Sequence, residues 1–275
     1  MKPAPFDYFR ARMTGEAIRA FAECGPDSRY LAGGQSLMAM MNMRVATPKT
    51  IIDISRLEDA DYIREDREHI AVGCSVRQVD LEAWPRLAEK IPLLTQALPW
   101  IGHVQTRNRG TVCGSIAHAD PSSELPLCLA LLDGEVVLQS MQDMRTVSGR
   151  SFFRGVLQTA RNDEELITEV RWPKRKAGTG FAFSEMAIRH GDFAIVGIAA
   201  MVDAAQLTIA IGGASNQPEV REFEIAENHD LEDTLNELAW SIDCREDQHA
   251  SPAYRRHLVR TLGKRTIAEA MACRS

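Results

Sequence analysis

Two segments crowded with glycine and small hydroxyl residues most constrain what this chain can fold into. One is Ala32-Gly33-Gly34-Gln35-Ser36-Leu37, between an apolar strand-like stretch and a Met-rich helical run. The other is the longer run Gln105 to Pro121, with Thr106, Gly110, Thr111, Gly114, Ser115 and Ala117 in it. Adjacent glycines permit positive φ and let backbone N–H groups approach a ligand unobstructed, and Ser36 adds a hydroxyl near a helix start. Each alone is also consistent with a plain strand-to-helix turn. Two such segments in one chain are harder to read as plain turns, since both suit close backbone contact with a phosphorylated, planar ligand. Neither reads G-x-G-x-x-G or G-x-x-x-x-G-K-[ST], which argues against a dinucleotide-binding Rossmann unit and a P-loop ATPase.

The surrounding pattern alternates strand and helix. Thr14 as N-cap predicts a helix over Gly15 to Glu23, Arg29 to Ala32 reads as a strand, and Leu37 to Met43 as a helix. Thr50 to Ile54 is a compact apolar strand, followed by a hairpin of Ile63 and His69 to Gly73. Val79 to Leu98 returns to helix with breaks at Pro85 and Pro92, and Trp100 to Thr111 reads as loop. Asp120-Pro121 predicts a helix start, Asp as cap and Pro at the first position, ending near Asp133-Gly134. Strands are expected at Glu135 to Leu138, Arg145 to Ser148 and Glu165 to Trp172.

Charge, Pro and Gly collect in Pro173 to Gly178, and a boundary is placed there. Beyond it, Ala194 to Val202 and Gln206 to Gly212 read as an antiparallel hairpin. Thr234 to Ile242 and Pro252 to Met271 read as helices, the latter with Tyr254, Leu258, Leu262, Ile267 and Met271 on one face. A third motif, Arg189-His190-Gly191-Asp192-Phe193-Ala194, precedes the hairpin; it either punctuates the strand or presses Phe193 against a planar ligand.

Composition narrows the function classes. With 275 residues, 45% hydrophobic and 25% charged, the chain builds one or two globular domains. A net charge of -6 argues against nucleic acid or an anionic membrane as the main partner. Cys24, Cys74, Cys113, Cys128, Cys244 and Cys273 contain no C-x-x-C pair, so no iron–sulfur cluster is expected on this chain and buried or idle thiols are. No apolar run reaches membrane-spanning length and no signal-peptide pattern is read, so a cytoplasmic protein is expected. His118 and Asp120 lack a third ligand at metal spacing, and Ser122 and Ser123 lack a nucleophile elbow. No metal site and no catalytic side chain are assigned.

The three motifs, in this order and at these separations, resemble the FAD-binding medium subunit of molybdenum hydroxylases, the family of carbon monoxide dehydrogenase, xanthine dehydrogenase and the nicotine, caffeine and quinoline hydroxylases. The resemblance spans essentially the whole chain. It implies an α+β protein: an FAD-binding domain of the vanillyl-alcohol-oxidase (PCMH) type over 1–175, made of two α/β subdomains (about 1–55 and 56–175). A C-terminal domain over 176–275, with a three-stranded antiparallel sheet and helices, would follow.

By the same resemblance, Ala32, Gly33, Gly34, Gln35, Ser36 and Leu37 would wrap the FAD diphosphate, and Thr111, Gly114 and Ser115 would contact diphosphate and ribityl oxygens. Ile101 and Thr106 would lie near the flavin, Glu124 near ribose and adenine, Leu166 against the ring system through its backbone, and Phe193 beside the isoalloxazine. Gly110, Ala117 and Asp120 complete the implied set. Cys113 stands where the family usually has a glycine, and Glu185 where many members have a lysine. FAD would be bound non-covalently, with molybdopterin on a large partner subunit and 2Fe–2S clusters on a small one, as a dimer of heterotrimers. Electrons would pass from the 2Fe–2S partner through FAD to an external acceptor. A free-standing flavin oxidoreductase of the same fold and a non-catalytic nucleotide-binding module are the alternative readings.

Overall fold

Ile51 and Ile52, both fully buried, sit on the central strand of a three-stranded parallel sheet. This sheet opens the computed structural model, which describes residues 1–225 and 231–274. Its elements are β1 (Asp7–Arg10), α1 (Thr14–Cys24), β2 (Ser28–Leu31), α2 (Leu37–Asn42) and β3 (Thr50–Asp53), with strand order β1-β3-β2. Parallel neighbours need crossovers, and α1 provides one by burying Ala17, Ile18, Ala20 and Phe21 against the sheet. The ring of Phe21 stacks on Tyr30 at 5.0 Å. Thr14 is not the cap of α1: Met13 holds that position, because the Thr14 hydroxyl donates to Asp59 at 3.0 Å.

The next strands and helices are β4 (Ile63–Glu65), β5 (His69–Gly73), α3 (Gln78–Glu82), α4 (Leu87–Lys90), α5 (Pro92–Ala97), α6 (Val104–Arg107), α7 (Val112–His118) and α8 (Glu124–Leu132). They are followed by β6 (Glu135–Gln139), β7 (Met144–Ser148), α9 (Gly149–Phe152), β8 (Phe153–Gly155), β9 (Gln158–Thr159) and β10 (Leu166–Pro173). The five-stranded sheet runs β4-β5-β10-β6-β7 with every pairing antiparallel. The hairpins expected at Ile63 with His69 to Gly73 and at Glu135 to Leu138 with Arg145 to Ser148 are both present. They join β4 to β5 and β6 to β7, and α3 to α8 lie between β5 and β6, with the single turn of α9 following β7.

Two further expectations change in this region. The run Trp100 to Thr111, read as loop, contains the short helix α6, and a further helix, α7, follows it; Thr111 caps α7, its Oγ1 accepting from the Gly114 amide at 3.0 Å. The helix expected from Asp120-Pro121 starts at Glu124 instead, with Ser123 at its cap. Asp120 closes a turn, its Oδ1 accepting from the Ser122 amide at 2.8 Å and its carbonyl from the Ser123 amide at 3.0 Å. An Asp that accepts from an amide two residues on looks the same in sequence whether a turn or a helix follows.

The last part comprises β11 (Gly180–Met186), β12 (Val196–Val202), β13 (Gln206–Gly212), β14 (Glu219–Glu224), α10 (Leu231–Ser241) and α11 (Pro252–Ala272). The sheet β11-β12-β13-β14 is antiparallel and has four strands, not three. Beyond the two strands read in the sequence, β11 and β14 flank the hairpin, and β14, EVREFE, carries charges in place of an apolar run, as an edge strand tolerates and a sequence pattern conceals. On α11, Leu258, Leu262 and Ile267 are buried as expected, but Tyr254 and Met271 are exposed. The buried stripe instead begins at Arg255, which is 1% exposed.

Helix α8 joins the parts. Glu124 through Leu131 are all buried, and a Cβ on Gly197 or Gly212 would come within 3.2 or 3.3 Å of Leu127 Cδ2. One face of the last sheet thus rests on α8, and the other carries α11: a Cβ on Gly180 would lie 1.9 Å from the Ala270 carbonyl oxygen.

Candidate functional site

A cavity of about 480 Å³ lies where the first glycine loop, α7, the start of α8 and the loop ahead of β12 converge. That is within the range of small-molecule and cofactor sites, about 300–1,000 Å³. Its wall includes Ala32, Gly34, Gln35, Ser36 and Leu37 from the first loop, and Thr111, Gly114, Ser115 and Ala117 from the second segment. Ile101, Thr106 and Gly110 complete one side, Glu124 and Leu166 another, and Phe193 stands at the mouth, 61% exposed. Two residues of the expected set do not reach the wall, Gly33 and Asp120; Asp120 is occupied by its turn.

Gly33 acts from behind. A Cβ there would lie 2.2 Å from the Arg109 carbonyl oxygen and 2.6 Å from Gly110 Cα. A Cβ on Gly114 would lie 2.7 Å from Thr111 Oγ1 and 3.2 Å from Ala32 Cβ. The two segments therefore touch backbone to backbone. Of the glycine pair, Gly34 is the one in the left-handed region, at φ 72°. Beyond β2, the amides of Gly33, Gly34, Gln35 and Ser36 donate to no acceptor among the described residues. A row of unpartnered backbone donors beside a cavity is a cradle for phosphate oxygens.

The mouth is built by contact between the last sheet and the turn after α5. Gly191, at φ 88°, lies so close that a Cβ would be 2.9 Å from His103 Cε1 and 3.0 Å from the Gly102 carbonyl carbon. His190 stacks on Trp100 at 5.0 Å. These contacts fix the Arg189 to Ala194 loop, and with it Phe193, an aromatic side chain with a free face.

Titratable groups in the wall are tuned by burial. Burial pushes the Glu124 carboxyl up to about 7 and the Cys74 thiol up to about 12, and drives Cys113 well above its ordinary value. Both thiols are neutral and carry no nucleophilic chemistry. Cys113, buried, has its Sγ 3.6 Å from the Val72 carbonyl oxygen. Burial lowers His118, opposed by Asp120.

Several wall residues escaped the sequence reading. Arg29, Tyr30 and Arg161 lie on the wall, with Arg161 Nη1 donating to the carbonyls of Asn162, Asp163 and Glu165. Gln78 is 4% exposed, and its Oε1 has no partner although it lies on the wall. Nothing in the local sequence separates Gln78 from any helix-start glutamine; only its tertiary position does. No group of three metal-ligating side chains occurs among the described residues.

The site fits a long ligand with a diphosphate and a planar ring: unpartnered amides for the phosphates, a buried carboxyl for a hydroxyl, and an aromatic face at the open end. Residues 4–175 match the family described as FAD binding domain in molybdopterin dehydrogenase. The chain is 35% identical to the 6-hydroxypseudooxynicotine dehydrogenase complex subunit alpha of Paenarthrobacter nicotinovorans, over 98% of this chain and 96% of that one. It is 32% identical to the glyceraldehyde dehydrogenase medium chain of Sulfolobus acidocaldarius, over 98% and 99%. Among solved structures, carbon monoxide dehydrogenase from Hydrogenophaga pseudoflava superposes with a TM-score of 0.92 at 28% identity, covering 100% of both chains. Quinoline 2-oxidoreductase from Pseudomonas putida 86 gives 0.91 at 28%, covering 99% of each. With fold, cavity and sequence in agreement, the chain belongs to the FAD-binding medium subunits of the molybdenum hydroxylases, a family of oxidoreductases.

Proposed function

We propose that the chain is an electron-transfer subunit that holds FAD non-covalently, receives electrons from a 2Fe–2S partner subunit and passes them to an external acceptor. The observation that carries this reading is the row of unpartnered amides of Gly34, Gln35 and Ser36, residues that line the same cavity as Glu124 and Phe193. The amides of the first loop, with Thr111, Gly114 and Ser115, would hold the diphosphate and ribityl oxygens. Glu124 would take a ribose hydroxyl, and Ile101, Thr106, Leu166 and Phe193 would frame the ring. FAD supplies the redox chemistry when bound; the protein binds, orients and shields it.

A large molybdopterin subunit and a small 2Fe–2S subunit would complete a cytoplasmic dimer of heterotrimers. The names of relatives as a complex subunit and as a medium chain support this division of labour. The absence of C-x-x-C spacing from the sequence agrees with it. We further propose that the domains divide within 173–178. Two hydrophobic cores support the division, one drawn mostly from residues before that stretch and one wholly from residues after it.

The purified chain is expected to carry, or take up on reconstitution, one FAD with flavin absorbance. Tight ADP or ATP binding with no flavin uptake would favour a nucleotide-binding module and overturn the reading. Direct reduction by a small-molecule substrate without partners would point to a free-standing oxidoreductase. Phe193→Ala is expected to retain FAD, because the aromatic side chain stands at the exposed mouth, while shifting the flavin reduction potential or its reactivity with oxygen. Anaerobic redox titration and stopped-flow oxidation measure both; unchanged values would remove Phe193 from the ring's surroundings.

A further inference from the structure

Gln78 is a buried polar side chain on the cavity wall that the binding scheme above leaves unused. It opens α3, and its place is set by backbone contacts alone. The Gln78 amide donates to the Gly110 carbonyl at 2.8 Å, the Val112 amide to the Val76 carbonyl at 3.1 Å, and Arg77 forms a bridge with Thr111. Residues 76–78 thus run antiparallel to 110–112, inside the second glycine segment. The far end of α3 is held too: Arg107 of α6 donates to Glu82 at 2.8 Å, and to the carbonyls of Ile101 and Gly102.

Within this fixed frame the side chain is unsatisfied. Gln78 is 4% exposed, and its Oε1 has no hydrogen-bond partner. The carboxamide packs on Gly110, where a Cβ would lie 2.9 Å from Oε1 and 3.2 Å from Cδ. A buried acceptor without a donor is a standing cost to a fold, and nearly all such groups are met. The last torsion of glutamine is broad and two-fold, so the carboxamide can turn on Gly110 and bring Oε1 to the cavity. Gly110 also identifies the part of a ligand that lies opposite. On one side a Cβ on Gly33 would be 2.6 Å from Gly110 Cα, which places the first loop there. On the other side the Gly110 amide donates to the Thr106 carbonyl at 2.7 Å. Gln78 therefore stands between the loop proposed for the diphosphate and a residue proposed for the ring. What joins those two parts of FAD is the ribityl chain, a run of hydroxyl groups.

We propose that Gln78 is a further cofactor-binding residue, whose carboxamide oxygen accepts a hydrogen bond from a ribityl hydroxyl of FAD. The proposal rests on the FAD reading above. In the ligand-free chain the oxygen is unmet, and binding of the cofactor meets it. The residue therefore lowers the stability of the free chain and strengthens the complex, two effects of opposite sign that a glutamine serving only the core would not combine.

The test compares the full chain with Gln78→Met, which keeps the length of the side chain and removes both polar atoms; Gln78→Leu serves if that variant does not fold. Without FAD, the variant is expected to unfold at the wild-type temperature or a few degrees above it, because the unmet acceptor is gone. Its Kd for FAD, followed by fluorescence quenching, is expected to rise about tenfold, the weight of one hydrogen bond. FAD analogues that each lack one ribityl hydroxyl then identify the partner. The wild type should bind one of them about tenfold more weakly than FAD, and Gln78→Met should bind that analogue and FAD equally. A ligand-free transition several degrees below the wild type would make Gln78 a core residue and overturn the proposal. An unchanged Kd for FAD, or a discrimination among the analogues that is missing from the wild type or survives in the variant, would overturn it while the FAD reading stands. A wild-type chain that binds no FAD would overturn both.

Discussion

Gly33→Ala is expected to raise the Kd for FAD about 100-fold, some 2.7 kcal/mol, although Gly33 is not on the cavity wall. The new Cβ would lie 2.2 Å from the Arg109 carbonyl oxygen, 2.8 Å from the Arg109 carbonyl carbon and 2.6 Å from Gly110 Cα, all backbone atoms that no rotamer change can move. Relief requires the first loop to lift off the second. That would displace the unpartnered amides of Gly34, Gln35 and Ser36 from the oxygens that Thr111 and Gly114 are proposed to hold. Overpacking of this kind costs typically about 1–3 kcal/mol. The natural control is Gly178→Ala: its φ of 76° makes the substitution strained, but nothing lies within 4 Å of the added Cβ. That variant should lose about 1–2 kcal/mol of stability and bind FAD normally. Isothermal titration and thermal unfolding of both separate loop spacing from backbone strain; equal Kd values for Gly33→Ala and the wild type would remove the first loop from the cofactor.

This contrast marks what the sequence discloses and what it does not. A Gly-Gly pair announces a special backbone, but not which of two reasons applies at each position. Gly34 needs its positive φ; Gly33 needs room for another segment about seventy-five residues away in sequence, which only the folded chain shows. The strands with dense apolar runs, at Thr50–Asp53, Leu166–Pro173, Val196–Val202 and Gln206–Gly212, were legible because burial on both faces selects those residues. Helix α7 was not: its small residues serve the cavity rather than a hydrophobic face, so the 3.6-residue period is weak. Strand β14, charged and at the edge, was hidden for the opposite reason. Most of the expected cavity residues lie in contiguous motifs. Gln78, Arg29 and Arg161 reach the same wall from single positions that tertiary packing selects.

Arg255→Met is expected to lower stability by about 3–5 kcal/mol, because it takes a buried donor from two backbone carbonyls, at about 1–3 kcal/mol each, and from a half-buried ion pair. With a shift of roughly 2–4 °C per kcal/mol for a chain of this size class, the transition should fall by on the order of 10 °C. Arg255 is 1% exposed and opens the buried stripe of α11. Its Nη1 donates to the carbonyls of Ile195 and, at 2.8 Å, Gly213, and its Nη2 to Asp247 at 2.6 Å. Methionine fills much of the volume but leaves the Ile195 and Gly213 carbonyls without this donor, and unmet buried acceptors cost about 1–3 kcal/mol each; the half-buried Asp247 keeps the amides of His249 and Ala250. The consequence reaches the site, because Ile195 follows the loop that carries Phe193. Its amide donates to the Met186 carbonyl at 2.7 Å while its carbonyl accepts from Arg255, so Ile195 ties the end of the loop to β11 on one side and to α11 on the other. The variant should therefore change flavin reactivity in the direction of Phe193→Ala while still binding FAD below its lowered transition. Differential scanning calorimetry with stopped-flow flavin oxidation tests both parts. A large loss of stability with wild-type flavin kinetics would separate the arginine from the mouth of the cavity, and an unchanged transition would show that Ile195 and Gly213 are held by the sheet alone.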